Sequence, residues 1–517
     1  MISIEVLIFF GLASSSYTKI GKIFWYKTDS DFLFLAISDA MQTTLKDHKY
    51  LQIAQGIEQM IQEEVLNIGE KLPSVRTLSE EYGISLGTAF QAYYHLESKG
   101  LIEARPKSGY YVRFNNRRFP GIPSSRQMET GVNEVSTMEM IATVFRNISA
   151  ADLINLSVAA PRVELLPAAK LNKSVVHALR SSSSSCLHYE NIQGNAELRK
   201  QIVKLAFNWN GKLTPDDIVV TAGCMEALVM CLKAVTSWGD TVAIESPTYF
   251  GVFQVMESLG LKAIEIPTDP QTGIDLNYLE EAIRKHHIKA CVFIPNFNNP
   301  LGSCMPDENK EKLVALITRK QIPLIEDDIY GELYFGRQRP RTCKTYDREG
   351  WVLHCSSISK SLAPGYRIGW CIPGRFTEKV KQLKIMHTVS GTTLTQAAMA
   401  HFLSIGRYEH HLKKLRNALH AQYLNYVQGI IQYFPSDVKI SRPSGGLVLW
   451  VEMNKEINAY KLYQEAIRHG ISFAPGQVFS VTGHYRNCMR IGYGQAYDDK
   501  MEQGIRVLGK LIGRKGN

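Results

Sequence analysis

Apolar residues between Tyr50 and Val112 recur first at helical spacing and then at strand spacing. Leu51, Ala54, Ile57, Ile61 and Val65 form one helical stripe, which Gly69 and Pro73 interrupt. Ser74 can cap a second helix over residues 75–82, Gly83-Ile84-Ser85 makes a tight turn, and a third helix runs over about 86–99 until Gly100 stops it. Residues 101–112 read as two short strands around Pro106-Lys107-Ser108-Gly109. From about Met138 the pattern changes. Short apolar runs at 218–221, 241–244, 290–294 and 324–326 read as buried strands, with helical stretches between them. That alternation predicts an α/β unit with a largely parallel sheet. The last hundred or so residues predict a smaller α+β subdomain.

Three helices followed by a hairpin describe a winged helix-turn-helix. Its expected span is 46–113. Residues 114–137 have breakers and no period, and they carry Arg117, Arg118 and Arg126 with no acid nearby until Glu129. They read as a solvated linker by default, with a basic arm tracking phosphates as the alternative. The α/β unit then covers 138–517, with its small subdomain at about 405–517. Residues 1–45 stay unassigned. The first forty are apolar and aromatic without clean periodicity, and Met41 makes a more convincing start, so they read as a misassigned start or a poorly ordered extension.

A length of 517 residues fits two or three domains. The composition, 45% hydrophobic and 21% charged, is globular, and a net charge of +10 hints only weakly at a polyanionic partner. Nine cysteines without a CxxC pair fit reduced thiols and a cytoplasmic protein. No segment is long and apolar enough to predict a membrane span, and no metal site is expected.

The candidate chemistry centres on Ser357-Ile-Ser-Lys-Ser-Leu-Ala-Pro-Gly-Tyr-Arg-Ile-Gly369. A lysine, Lys360, precedes a Pro364-Gly365 turn that brings Arg367 back. This suits a lysine held as a Schiff base with pyridoxal phosphate (PLP), whose phosphate Arg367 would grip with its planar charged fork. Ser357 and Ser359 add hydroxyls near the same phosphate. A buried lysine loses its proton readily, as a Schiff-base nucleophile must.

This run resembles the lysine motif of fold-type I aminotransferases, and further elements in order along the chain extend the resemblance over about 152–517. Ala222-Gly223-Cys224-Met225 follows a strand and opens a helix, where backbone N–H groups suit a phosphate. The family usually has Ser-Gln or similar after the glycine, so Cys224 and Met225 keep the backbone contacts and lose a hydroxyl. Tyr249 falls where the family stacks a ring on the cofactor. Asn299, in an Asn-Pro-x-Gly element, and Tyr330 would reach the phenolic oxygen. Asp327 would keep the pyridine nitrogen protonated, with Asp328 as the competing choice. Tyr189 would touch the phosphate of a neighbouring subunit, which implies a homodimer. Arg490 sits where aminotransferases hold an α-carboxylate.

The front domain resembles the GntR family on Lys71-Leu-Pro-Ser-Val-Arg-Thr-Leu78, on Ser85, Thr88, Ala92, Tyr93, Leu96 and Gly100, and on Ser108-Gly109-Tyr110-Tyr111-Val112. By position, the resemblance makes Arg76, Ser85, Thr88, Lys107 and Gly109 DNA contacts. Leu86 and Phe90 stand where many relatives have arginines, so base reading leans on Gly87, Gln91 and apolar contacts. The two resemblances together are those of the MocR subfamily of GntR regulators. They imply a PLP-dependent transcription regulator that binds a double-stranded DNA operator and senses an amino acid, an amine or PLP itself. The alternative is a working aminotransferase with a fused, autoregulatory helix-turn-helix, since nothing in the pocket residues rules out turnover.

Overall fold

A computed structural model describes residues 23–27, 32–36, 49–63, 65–67, 69–105, 108–113, 120–125, 131–134, 141–144, 153–181 and 187–515. Its contacts divide the chain into two compact units, 1–118 and 119–517.

In the first unit, helices Lys49–Gln62, Val75–Glu81 and Leu86–Ser98 precede strands Ile102–Arg105 and Gly109–Val112, which pair antiparallel. The order is the winged helix-turn-helix that the periodicity predicts. Serines start two of the helices. The Ser74 hydroxyl accepts from the Thr77 N–H, and the Ser85 hydroxyl accepts from the Thr88 N–H, both at 3.1 Å. Ile53, Ala54, Ile57 and Ile61 pack against Leu78, Ala89, Ala92, Tyr93 and Leu96, and Ile102 and Val112 of the hairpin close the core. The first helix ends one turn earlier than its stripe suggests. Val65 and Leu66 both donate to the Met60 carbonyl in a turn, which leaves Val65 half exposed. Earlier in the chain, Ile23–Lys27 pairs antiparallel with Phe32–Ala36, a hairpin that the sequence pattern did not disclose.

The second unit is built on a nine-stranded mixed sheet. Strands Lys262–Asp269, Thr241–Ser246, Ile288–Phe293, Leu324–Asp327 and Val352–Ser357 run parallel in that spatial order. Gly369–Ile372 follows antiparallel, between Val352–Ser357 and Val219–Thr221. The central strands are buried on both faces, which accounts for their unbroken apolar runs. The carboxyl ends of these strands gather on one edge, where open α/β sheets bind ligands. The small subdomain has a four-stranded antiparallel sheet ordered Lys439–Ile440, Val448–Glu452, Cys488–Gly492, Ala474–Pro475. The 27-residue helix Arg407–Tyr433 and the helix Asp499–Lys515 accompany it.

The expected solvated linker needs correction in its described parts, because two stretches of it are docked. The Ile440 N–H donates to the Gly121 carbonyl at 2.9 Å, and the Ser124 N–H donates to Glu452 Oε2 at 3.2 Å. Val132–Glu134 pairs with the large sheet at Lys262–Ile264. Both attachments use the linker's own backbone groups, which need no apolar period. No helix among the described residues is long and apolar enough to cross a membrane, and no metal-binding cluster occurs among them.

Candidate functional site: a buried cavity and an exposed helix

A cavity of about 350 Å³ opens at the carboxyl edge of the large sheet. Lys360, Arg367, Arg490 and Asp327 are its only charged lining residues among those described. Lys360, Arg367 and Asp327 come from strand ends or turns, and Arg490 from the middle of strand Cys488–Gly492.

Gly223 precedes the helix Cys224–Val235 with φ +88°, and a Cβ there would collide with the Arg367 guanidinium. Arg367 ends the Pro364-Gly365 turn in a left-handed conformation. Its Nη2 donates to the Ala222 carbonyl at 2.9 Å and its Nη1 to the Pro364 carbonyl at 3.3 Å. Loop and arginine therefore face each other across a gap that admits no side chain. Ser359 lines the cavity, and its hydroxyl is 3.5 Å from Arg367 Nη1. Ser357 does not line it. Its hydroxyl accepts from the Ser359 N–H at 3.2 Å, so it braces the turn from behind.

Asp327 is the last residue of its strand and lines the cavity. Its Oδ1 accepts from the Ile329 N–H at 3.1 Å and from the Cys224 thiol at 3.3 Å. Burial pushes its pKa up to about 6, against those two hydrogen bonds. Asp328 is absent from the lining and is bound instead by Arg339 and, at 2.8 Å, by Asn296 Nδ2. The cysteine that replaces a family hydroxyl thus serves the acid and does not point to the phosphate loop.

Asn299 Nδ2 donates to the Tyr330 hydroxyl at 3.2 Å, and Asn299 Oδ1 accepts from Arg490 Nη1 at 3.0 Å. Arg490 Nη2 donates to the Ser157 carbonyl, while its buried Nε has no hydrogen-bond partner. Burial lowers the Arg490 pKa to about 10. Lys360 is half-buried, and desolvation, then the Arg490 charge, bring its pKa down to about 8. Its ammonium donates to the Ala159 carbonyl at 2.8 Å. Tyr249, Cys224 and Met225 line the cavity too. Tyr189 does not, and its side chain stands 88% exposed elsewhere on the unit.

The segment 157–160, which supplies the carbonyls to Lys360 and Arg490, escaped the sequence reading. It works through backbone groups, which leave no motif. Its traces are Gly492 and Gly494, where a Cβ would overlap the Val158 and Ala160 carbonyls.

On the first unit, Arg76, Ser85, Gly109, Leu86 and Phe90 are exposed, and Thr88 and Gln91 are half-buried. The Ser85 and Thr88 hydroxyls lie 2.9 Å apart, so they serve the helix start first. Gly109 has φ +109°. Lys107 lies outside the described residues.

Two family profiles match the chain: aminotransferase class I and II over residues 151–508, and bacterial regulatory proteins of the gntR family over 49–112. The chain belongs to the GntR-family regulators that carry an aminotransferase domain. This is the arrangement of the MocR subfamily. The regulator is 36% identical over 466 residues to the uncharacterized HTH-type transcriptional regulator YjiR of Escherichia coli (strain K12), covering 90% of this chain and 99% of that one. It is 37% identical over 470 residues to the uncharacterized HTH-type transcriptional regulator YdcR of the same strain, with 90% and 99% coverage. Among solved structures, Pyrococcus horikoshii kynurenine aminotransferase superposes with a TM-score of 0.70 at 25% identity, over 74% of this chain and 96% of that one.

PLP is the cofactor of this domain type, and the cavity fits it. The glycine-arginine gap matches a phosphate, the desolvated lysine an aldehyde, the buried acid a pyridine nitrogen, and the Asn299–Tyr330 pair a phenolic oxygen.

Proposed function

We propose that this chain is a DNA-binding transcription regulator whose aminotransferase-like unit, 138–517, holds PLP and senses an amino acid, an amine or PLP itself. In this reading residues 46–113 bind a double-stranded operator. The observation that carries it is the pairing, in one chain, of a complete winged helix-turn-helix with a cavity whose Arg490 keeps one buried N–H free.

PLP, when bound, supplies an aldehyde that condenses with amines and a ring that withdraws electrons. The chain's own residues do the rest. Lys360 would hold the cofactor, and its lowered pKa favours the free amine that such a bond needs. Asp327 holds a proton at the pyridine nitrogen. Arg367 and the N–H groups after Gly223 bind the phosphate. Arg490 would receive a carboxylate, beginning with the Nε–H that has no partner.

The docked linker supports a route outward. Residues 121–124 are attached to strands Lys439–Ile440 and Val448–Glu452, and Val448–Glu452 pairs directly with the Arg490 strand, Trp450 opposite Arg490. Val132–Glu134 is attached to the large sheet instead. A ligand that shifts the Arg490 sheet against the large sheet therefore changes the span between the two anchors. Such coupling requires the ligand to favour one arrangement by differential affinity. A homodimer is supported by the exposed apolar side chains Leu187, Tyr189, Met386 and Val389. In it Tyr189 would reach the other subunit's phosphate.

The competing reading is an active aminotransferase, favoured by the intact set Lys360, Asp327, Tyr330 and Arg490. Absorbance of the PLP-loaded protein, followed while amino acids and a keto acid are added, tests the two. A single spectral change without turnover supports the sensor. Continuous keto-acid release supports the enzyme.

A further inference from the structure

Charge is unevenly placed in this protein. The chain as a whole has a net charge of +10, yet residues 46–113 contain eight Lys and Arg against nine Asp and Glu. Phosphate neutralisation, the sequence-independent part of DNA affinity, is correspondingly small in this unit. The third helix, Leu86–Ser98, contains no lysine, arginine or asparagine. Arginine and lysine read guanine and asparagine reads adenine, so those readers are missing and Gln91 is the helix's only side-chain amide. The hydroxyl of Ser85 is engaged as the helix cap.

What the start of this helix presents instead is apolar. Leu86 is 53% exposed and Phe90 is 52% exposed, while Ala89, Ala92, Tyr93 and Leu96 of the same helix are fully buried. Leu86 and Phe90 are four residues apart, so they lie side by side on one face, with Gly87 between them in sequence. In a helix-turn-helix, the N-terminal residues of this helix meet the base edges in the major groove. The apolar feature of that groove is the 5-methyl group of thymine.

We infer that Leu86 and Phe90 form an apolar reading surface for thymine methyl groups, and that they set the base preference of this regulator. The inference rests on the DNA-binding reading above. Gly87 leaves the backbone between the two side chains uncovered, and Gln91, one position beyond Phe90, is placed for an adjoining adenine. The preferred operator is then rich in thymine at the positions under this helix.

The test starts from the full-length, PLP-loaded protein. Duplexes are selected from a random library and resynthesised with deoxyuridine in place of thymine, which deletes the methyl and keeps the pairing edge. Affinities are read by fluorescence anisotropy. The expected result is a loss of about fourfold per contacted thymine, the value of one buried methyl group. Leu86→Ala and Phe90→Ala should each shrink the thymine-to-deoxyuridine ratio towards one, with an unchanged melting temperature because both side chains are exposed. Equal affinity for both duplexes, with sequence-specific binding intact, would overturn the inference and leave the DNA-binding reading standing. So would a Phe90→Ala change in oligomeric state with the ratio unaltered, since that would make the face a protein contact. If no duplex is selected at all, the DNA-binding reading itself falls, and the inference falls with it.

Discussion

The two sites of this protein are built on opposite physics. In the cavity, every charged group is held by a fixed partner, and burial displaces the pKa values of Lys360, Asp327 and Arg490 towards their neutral forms. On the third helix, the proposed reading surface of Leu86 and Phe90 is uncharged and exposed. The cavity is organised before anything enters it. The helix face is completed only when a partner covers it. A mutation in the first should therefore change chemistry in large steps, and a mutation in the second should change preference in small ones.

The largest step is expected from Lys360→Ala. It should abolish borohydride-trapped attachment of PLP, read by mass spectrometry, while operator binding persists. Retained attachment would place the lysine role elsewhere. Gly223→Ala comes next, because its Cβ meets the Arg367 guanidinium and its φ is positive. A loss of about 10–100-fold in PLP affinity, roughly 1.4–2.8 kcal/mol, is expected by fluorescence titration.

Leu96→Ala reverses the comparison, since it attacks the small unit through its core. Leu96 is fully buried, so destabilisation of about 2–5 kcal/mol is expected, with loss of DNA binding and unchanged PLP capture. Loss of both activities would show that the units do not act separately.

The pH dependence isolates the lysine. Its pKa is lowered to about 8, so the free amine is the minor form below that value and the major form above it. Capture of added PLP by the cofactor-free protein should quicken about tenfold per pH unit below 8 and level off above it. A rate that keeps rising to pH 10 would show an unperturbed lysine. The smallest effect belongs to Ser85→Ala, which removes a helix cap worth about 1 kcal/mol. Its signature is a lower melting point of the small unit with the base preference kept.

The same contrast governs how much could be read from the sequence. Lys360, Asp327 and Arg367 were legible because each is a distinctive side chain at a set distance from a strand end. The choice between Asp327 and Asp328 follows from spacing, and the structure supplies the reason: Arg339, eleven residues further on, binds Asp328. Segment 157–160 was not legible, since its carbonyls carry no side-chain signature. The linker anchors at Gly121 and Val132 were hidden for the same reason. Ser357 is expected to place its hydroxyl near the phosphate; that hydroxyl accepts from the Ser359 N–H, which leaves its own proton to donate. The first helix's stripe overshot at Val65, where a turn onto the Met60 carbonyl outweighs periodicity.

The central claim is that a ligand in the cavity controls the helix face far from it in sequence. The most direct test follows one sample by two readouts, PLP absorbance and fluorescence anisotropy of a selected duplex, as amino acids are added. The account expects that a compound which changes the absorbance of the wild type also changes its DNA affinity, and that DNA changes the compound's affinity by the same factor. In Arg490→Ala, carboxylated compounds should lose both effects together. An absorbance change with keto-acid release and constant DNA affinity would contradict it.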